Sequence, residues 1–295
     1  FRLVEVQGIG LGDLYRRNYF FNYTYGFNYN LTKSLRLNYT ASSNNIVRNY
    51  LDENNLPIDG LDIWDDYWNV GESNQHNKQL VVNYDLPINK IPILSFVKST
   101  YTYTGDYNWQ RASDAFSTIT GEDGNIYALG NTIQNANSHK LNTTLNMDLF
   151  YKYIGLTKTK NSKKKPVANK DKSVAPKPGQ QITAPKNNIT SERSVFASGL
   201  IGVITSVKNI QINYSENNGT VLPGYLPGLG FFGSSKPTLG FVFGSQSDVR
   251  YEAARNGWLT SFPEFNQNFT QVENKKLNLT AKLEVFPDLT IDLTA

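Results

Sequence analysis

Strict alternation constrains this chain more than any other feature. From Asn18 to Leu31 the odd positions are Tyr19, Phe21, Tyr23, Tyr25, Phe27, Tyr29 and Leu31. The even positions are Asn18, Phe20, Asn22, Thr24, Gly26, Asn28 and Asn30. Successive side chains of a strand point to opposite faces, so this segment reads as a strand with one apolar and one polar face. After a tight turn at Thr32-Lys33-Ser34, Leu35, Leu37, Tyr39 and Ala41 oppose Arg36, Asn38, Thr40 and Ser42, which completes a hairpin.

The pattern recurs along the chain. Leu80, Val82, Tyr84 and Leu86 alternate with Val81, Asn83 and Asp85, and Pro87-Ile88-Asn89-Lys90 turns the chain. Tyr101, Tyr103, Tyr107 and Trp109 then oppose Thr100, Thr102, Thr104, Asp106 and Asn108. Leu141, Leu145, Met147 and Leu149 oppose Lys140, Asn142, Thr144, Asn146 and Asp148. Leu277, Leu279, Ala281, Leu283 and Val285 oppose Asn278, Thr280, Lys282 and Glu284, and a turn at 286–288 leads into Leu289, Ile291 and Leu293.

A soluble sandwich also alternates. Two features favour a membrane barrel, in which the apolar face meets lipid and the Asn/Thr/Ser face lines the lumen. The alternating runs are about 9–13 residues, suited to tilted spanning strands, where soluble strands cluster near 5–6. Tyr and Trp gather toward strand ends, as an interfacial girdle requires. On this reading Arg at Tyr25 or Leu145 is costly, and Arg at Asn28 or Thr144 mild. Connection lengths agree, since bacterial barrels pair short periplasmic turns with long outer loops. Short turns are expected at 32–34, 87–90 and 286–288, and long loops at 43–77, 110–137 and 217–270. Parity makes the 151–207 connection periplasmic. Phe196, Leu200, Val203, Ile204 and Val207 fall at helical spacing with Ser191 as N-cap, so 192–206 reads as a short helix and eight strands remain. Those strands read as an unclosed arc of something larger.

Composition removes other classes. The 295 residues include no Cys, so disulfide frameworks, thiolate metal sites and thiol nucleophiles are excluded. No run of 18 apolar residues predicts a transmembrane helix. The chain opens at Phe1 without a basic-then-apolar leader, so any signal peptide is expected outside it. The net charge of +4 invites a nucleic-acid reading, but its distribution opposes one. Between Thr157 and Lys186 nine lysines meet a single acid, Asp171, a local charge of +8 that leaves the rest of the chain at −4. The segment 157–191 is also proline-rich and poor in large apolar residues, so it reads as a disordered periplasmic insert. A solvated linker is the plain reading, and a phosphate- or lipid-headgroup-binding arm the functional one. No aromatics interleave with these lysines as a single-strand nucleic-acid platform would need.

Several local patterns suggest chemistry without supporting it. Gly228-Leu-Gly230-Phe-Phe-Gly233 matches the dinucleotide fingerprint letter by letter. That fingerprint needs a preceding strand and a following helix N-terminus, and here Pro223 and Pro227 precede and Pro237 follows. A Pro/Gly loop anchored by Phe231 and Phe232 is the expectation. Asp62, Asp65 and Asp66 among Trp64, Tyr67 and Trp68 only partly meet calcium-loop spacing and read as an aromatic-pinned outer loop. Glu216, Asp248, Glu252 and Glu264 have no inferable partner. His76 and His139 are expected at the surface, just before strands. No Ser/His/Asp set can be assembled, so no catalytic, cofactor or metal residue is expected.

A set of phrases resembles one family. These are Leu86–Leu94 (LPINKIPIL), Tyr101–Trp109 (YTYTGDYNW), Leu129–Asn135 (LGNTIQN) and Tyr214–Glu216. With them stand Leu222–Pro227 (LPGYLP), Gly240–Gly244 (GFVFG), Asp248–Arg250 and Asn256–Leu259 (NGWL). In this order and spacing they resemble the SprA/Sov proteins, the giant outer-membrane translocon of the type IX secretion system of Bacteroidota, and span about positions 80–295. The resemblance implies an all-β fold in which this chain is a segment of a very large transmembrane antiparallel β-barrel of about 36 strands. It implies export of folded cargo bearing a C-terminal sorting domain, and in some members gliding motility. The implied partners are a PorV-type cargo-collecting barrel and a periplasmic plug protein, with no cofactor. The parts expected are barrel strands over 1–156, the insert, and a helix, further strands and a pore or gate loop over 192–295. Pro223, Gly224, Pro227, Gly228 and Trp258 are the structural candidates of that loop. Two rivals stand beside this reading: a nutrient-uptake receptor or porin, and a soluble glycan-binding or adhesion module using Tyr and Trp as stacking surfaces.

Overall fold

The computed structural model describes residues 15–51, 56, 70–113, 117–157, 195–286 and 288–295. Eight strands form one open sheet: β1 (Tyr15–Asn30), β2 (Leu35–Leu51), β3 (Glu72–Leu86), β4 (Val97–Gln110), β7 (Asn131–Asn146), β8 (Val207–Tyr225), β9 (Thr270–Phe286) and β10 (Leu289–Thr294). They lie in chain order, apart from a separate hairpin of β5 (Thr118–Thr120) and β6 (Ile126–Ala128) set between β4 and β7. The pairs β1–β2, β2–β3, β3–β4 and β9–β10 are antiparallel. β1 and β10 stand at the two ends of the strand order. Among the described residues there are also four short α-helices: α1 (Met147–Tyr153), α2 (Val195–Ile204), α3 (Leu239–Val242) and α4 (Arg250–Arg255).

Strand register sorts the side chains as the alternation predicts. Tyr29, Leu37, Val82 and Tyr103 share one row, and Phe27, Tyr39, Leu80 and Gly105 the next. We call this the aromatic face and the opposite one the amide face.

The strands are longer than their apolar alternation. Within the eight-stranded sheet all but β10 run 14–19 residues, against the 9–13 read from the pattern. β2 continues to Leu51 and β3 starts at Glu72, so the expected loop at 43–77 shrinks from both sides. The expected loops at 110–137 and 217–270 likewise shrink to 111–130 and 226–269. His76 lies inside β3 and is only 1% exposed, and His139 lies inside β7 and is half-buried, so neither is the surface residue expected. The reason is that the aromatic face turns polar toward the long connections and is still buried there: Ser43, Asn45, His76, Asn135 and Asn137 are all covered.

Three local expectations also change. Met147 and Leu149 belong to α1, because the Asn146 side chain accepts a hydrogen bond from the Leu149 N–H at 3.1 Å and ends β7 as a helix cap. The turn after β3 is two short 3-10 turns, Pro87–Lys90 and Pro92–Leu94. The helix expected at 192–206 is found as α2, and Val207 already opens β8. Its expected cap Ser191, the acidic cluster at 62–66 and all but the first residue of the lysine-rich insert lie outside the described residues.

The chain packs as two units that interleave along the sequence. One comprises 1–87, 99–142 and 213–277, the other 88–98, 143–212 and 278–295. The first holds the hydrophobic core, Tyr107, Trp109, Ile133, Leu222, Tyr225, Phe241, Val242, Val249 and Ala253. Most of these rings and aliphatic groups sit between the aromatic face and the 226–268 segment.

Candidate functional site

The segment 226–268 spreads as a layer over the long-connection half of the aromatic face. Two sheet rows lie there, Tyr23–Ser43–His76–Trp109 and Tyr25–Ala41–Lys78–Tyr107. Side chains from these and neighbouring strands donate to main-chain carbonyls of the layer. Tyr25 Oη donates to Phe232 O at 3.1 Å, Lys78 Nζ to Ser234 O at 2.9 Å and Trp109 Nε1 to Pro227 O at 3.2 Å. Asn135 Nδ2 donates to Phe241 O at 3.0 Å and Ser245 O at 2.7 Å, and Asn137 Nδ2 to Gly244 O at 2.7 Å. A segment with little regular structure leaves many carbonyls in need of outside donors, and each buried one left bare costs about 1–3 kcal/mol. These donors explain polar residues on a face otherwise built of rings. Lys78 is 8% exposed, and its ammonium also lies 6.0 Å from the Tyr107 ring centroid.

Ring contacts complete the grip. Phe231 stacks on Tyr23 at 4.7 Å with planes 5° apart, and Phe232 meets Tyr25 edge-on at 5.8 Å. Phe231 and Phe232 are therefore the anchors expected from sequence. The glycine triplet around them is a turn, not a nucleotide cradle: Gly233 N–H donates to Gly230 O at 2.9 Å. Tyr25 thus lies beneath the layer, and on β1 the open apolar surface starts one row further on, at Phe27, whereas on β4 the layer reaches Tyr103, whose hydroxyl donates to Phe243 O at 2.5 Å.

The five candidates of the Pro/Gly run do different things. Pro223 and Gly224 are the last turn of β8 and are buried. Gly224 has φ 73°, and a Cβ there would meet Thr260 Cγ2 at 2.9 Å and Phe265 Cζ at 3.0 Å. Gly130, with φ 76°, backs onto it, a Cβ at Gly130 falling 2.7 Å from the Gly224 carbonyl carbon. Pro227 supplies the carbonyl for Trp109. Trp258 is half-buried against the core, its carbonyl accepts from Leu226 N–H at 2.8 Å, and Lys236 Nζ lies 5.0 Å from its ring. Gly228 is exposed with nothing within 4 Å of a Cβ. Four of the five therefore converge on one seam, and Gly228 stands apart. The donors Lys78, Asn135 and Asn137 carry as much of this seam as the prolines. Their only signal in sequence is polar residues at apolar positions of the alternation.

The amide face is organised differently. Its side chains pair laterally: Asn44 with Asn22 at 2.5 Å, Asn74 with Asn44 at 3.2 Å, Asn108 with Asn77 at 2.6 Å and Thr102 with Asn83 at 3.0 Å. Two carboxylates on this face have donors beside them. Arg36 donates to Asp85 at 3.3 Å, and Gln79 donates to Asp106 at 2.8 Å. An open trough of about 380 Å³ runs along it, lined by Thr40, Ser42, Asn77, Gln79, Asn108 and Gln134 among others.

Ionisable groups in the loops have local causes for their behaviour. The hydrogen bonds from Arg250 hold the Asp248 carboxyl below its ordinary range and raise the guanidinium in return. The Tyr127 hydroxyl, 2.5 Å from Asp123, lowers that carboxyl, and its own pKa rises because it donates there. Both pairs are exposed structural clips, and Arg250 also covers the Phe269 ring at 4.4 Å. Glu216 pairs with Tyr214 and Asn218, and Glu252 with Asn256. Among the described residues no group of three His, Cys, Asp or Glu side chains is placed to hold a metal. No protein-family model matches the chain, and no curated protein matches it either.

Proposed function

We propose that this chain is part of the wall of a protein-conducting outer-membrane β-barrel of the SprA/Sov kind, which exports folded cargo and has no enzymatic activity. The observation that carries the reading is the difference between the two faces of one antiparallel sheet. Toward the short turns, the aromatic face holds Phe27, Tyr29, Leu37 and Val82, and Leu277, Leu279 and Val285 of β9 and Ile291 of β10 are exposed. On β9 the alternating apolar positions run from Leu277 through Leu283 to Val285, about the 9–11 residues a tilted strand needs to cross hydrocarbon. No helix among the described residues is long and apolar enough to do so.

On this reading the amide face lines the conduit. Much of its hydrogen-bonding capacity is spent laterally, so passing cargo meets a wettable wall without strong holding points. The carbonyl-gripped layer lies on the lipid side of the wall, above the belt, where a lateral gate or a PorV-type barrel would meet it. Cargo with a C-terminal sorting domain and a periplasmic plug protein are the further partners this reading brings.

A face test separates it from the soluble-module reading. Val82→Arg puts charge into the belt and is expected to cost about 2–4 kcal/mol near the midplane. Asn83→Arg, one residue on, is expected to be mild. Denaturant titration in vesicles reads both, and equal costs would sink the assignment.

A further inference from the structure

The second unit carries apolar surface that the wall itself does not use. α1 is held by Phe150 against Phe96 at 5.0 Å and by the Asn146 N–H donating to Phe96 O at 2.9 Å. Tyr151 Oη donates to Ile204 O at 2.6 Å and ties α1 to α2. With these contacts made, Leu149, Ile154, Val203 and Ile204 are still exposed, Val203 at 71%. The neighbouring β3–β4 connection adds Ile91 and Ile93, both exposed. Two separate connections thus offer aliphatic side chains where polar ones are the rule.

α2 has the sequence VFASGLIGVI, without a single charge. A helix with no polar face is covered by protein or seated in lipid, and ten residues are too few to span a bilayer. What covers it is indicated by charge. From Lys158 to Lys186 the chain that joins α1 to α2 holds nine lysines against one aspartate. Aliphatic side chains next to a basic run are the two signals that together hold a protein on an anionic bilayer, each lysine near the surface adding about 1 kcal/mol.

We propose that α1 and α2 rest in the headgroup region of an anionic bilayer leaflet, with Leu149, Ile154, Val203 and Ile204 entering it. This rests on the barrel reading, which places the belt residues Leu279, Leu283 and Ile291 of the same unit in hydrocarbon.

The chain contains no cysteine, so nitroxide labels can be placed singly through Val203→Cys, Leu283→Cys and Glu122→Cys. The protein is reconstituted in vesicles of phosphatidylcholine, or of phosphatidylcholine with phosphatidylglycerol. Relaxation by oxygen and by a water-soluble nickel complex is compared at each label. The expected oxygen-to-nickel ratio at 203 in the anionic vesicles is severalfold that at 122, and it falls in phosphatidylcholine alone. A ratio at 203 equal to that at 122, with 283 high, overturns the proposal alone. Low ratios at both 203 and 283 overturn the barrel reading with it. A ratio at 203 that ignores phosphatidylglycerol overturns the anionic-surface assignment. Protection from both reagents only when periplasmic proteins are added makes the occupant a protein and overturns the proposal too.

Discussion

Gly224 and Gly228 stand four positions apart in one Pro/Gly run, yet the structure gives them unequal work. Gly224 has φ 73° and touches Thr260, Phe265 and Gly130, whereas Gly228 faces open space. An alanine at 224 meets both left-handed backbone strain and steric overlap, each on the order of 1–3 kcal/mol. Gly224→Ala is therefore expected to destabilise the seam by about 2 kcal/mol or more, and Gly228→Ala to change little. Thermal unfolding in detergent compares them, and equal effects would contradict the geometry. Sequence alone cannot rank the two, because which backbone comes close is decided by residues nearly a hundred positions away, at 130.

At the scale of elements, the limits of β2, β3 and β7 show what patterning can reveal. The halves of these strands that carry the apolar alternation were legible. The other halves were not, because Ser43, His76, Asn135 and Asn137 are buried by a layer whose carbonyls need donors. A buried face that must hydrogen-bond to coil is polar in sequence and reads as loop. The same geometry yields a test on adjacent residues of β7. Asn135→Asp exchanges the donor that serves Phe241 and Ser245 for an acceptor, leaving two carbonyls against a carboxylate. The expected loss is about 2–5 kcal/mol of layer docking, seen as faster hydrogen exchange across 239–247. Gln134→Asp, on the opposite face, should leave that exchange unchanged.

At the scale of the whole molecule, the two faces make opposite demands on solvent. One is a paired amide surface, the other exposes Phe27 and Tyr29, and β9 and β10 expose Leu277, Leu279, Val285 and Leu293. The barrel reading predicts that the protein stays monodisperse only in detergent or lipid, which light scattering on detergent removal will show. A chain that remains soluble and monomeric without detergent would favour the glycan-binding or adhesion module instead. The sequence by itself determined the antiparallel β-class, the eight sheet strands, the short α2 and the segregation of rings from amides, because strand periodicity is local and fixed at two residues. Only the tertiary structure decided how far the strands run, that half of the aromatic face is roofed by residues 226–268, and that His76 and Lys78 belong inside. Those features depend on partners far apart in the chain, and a side chain's polarity does not reveal whether water or a distant carbonyl will satisfy it.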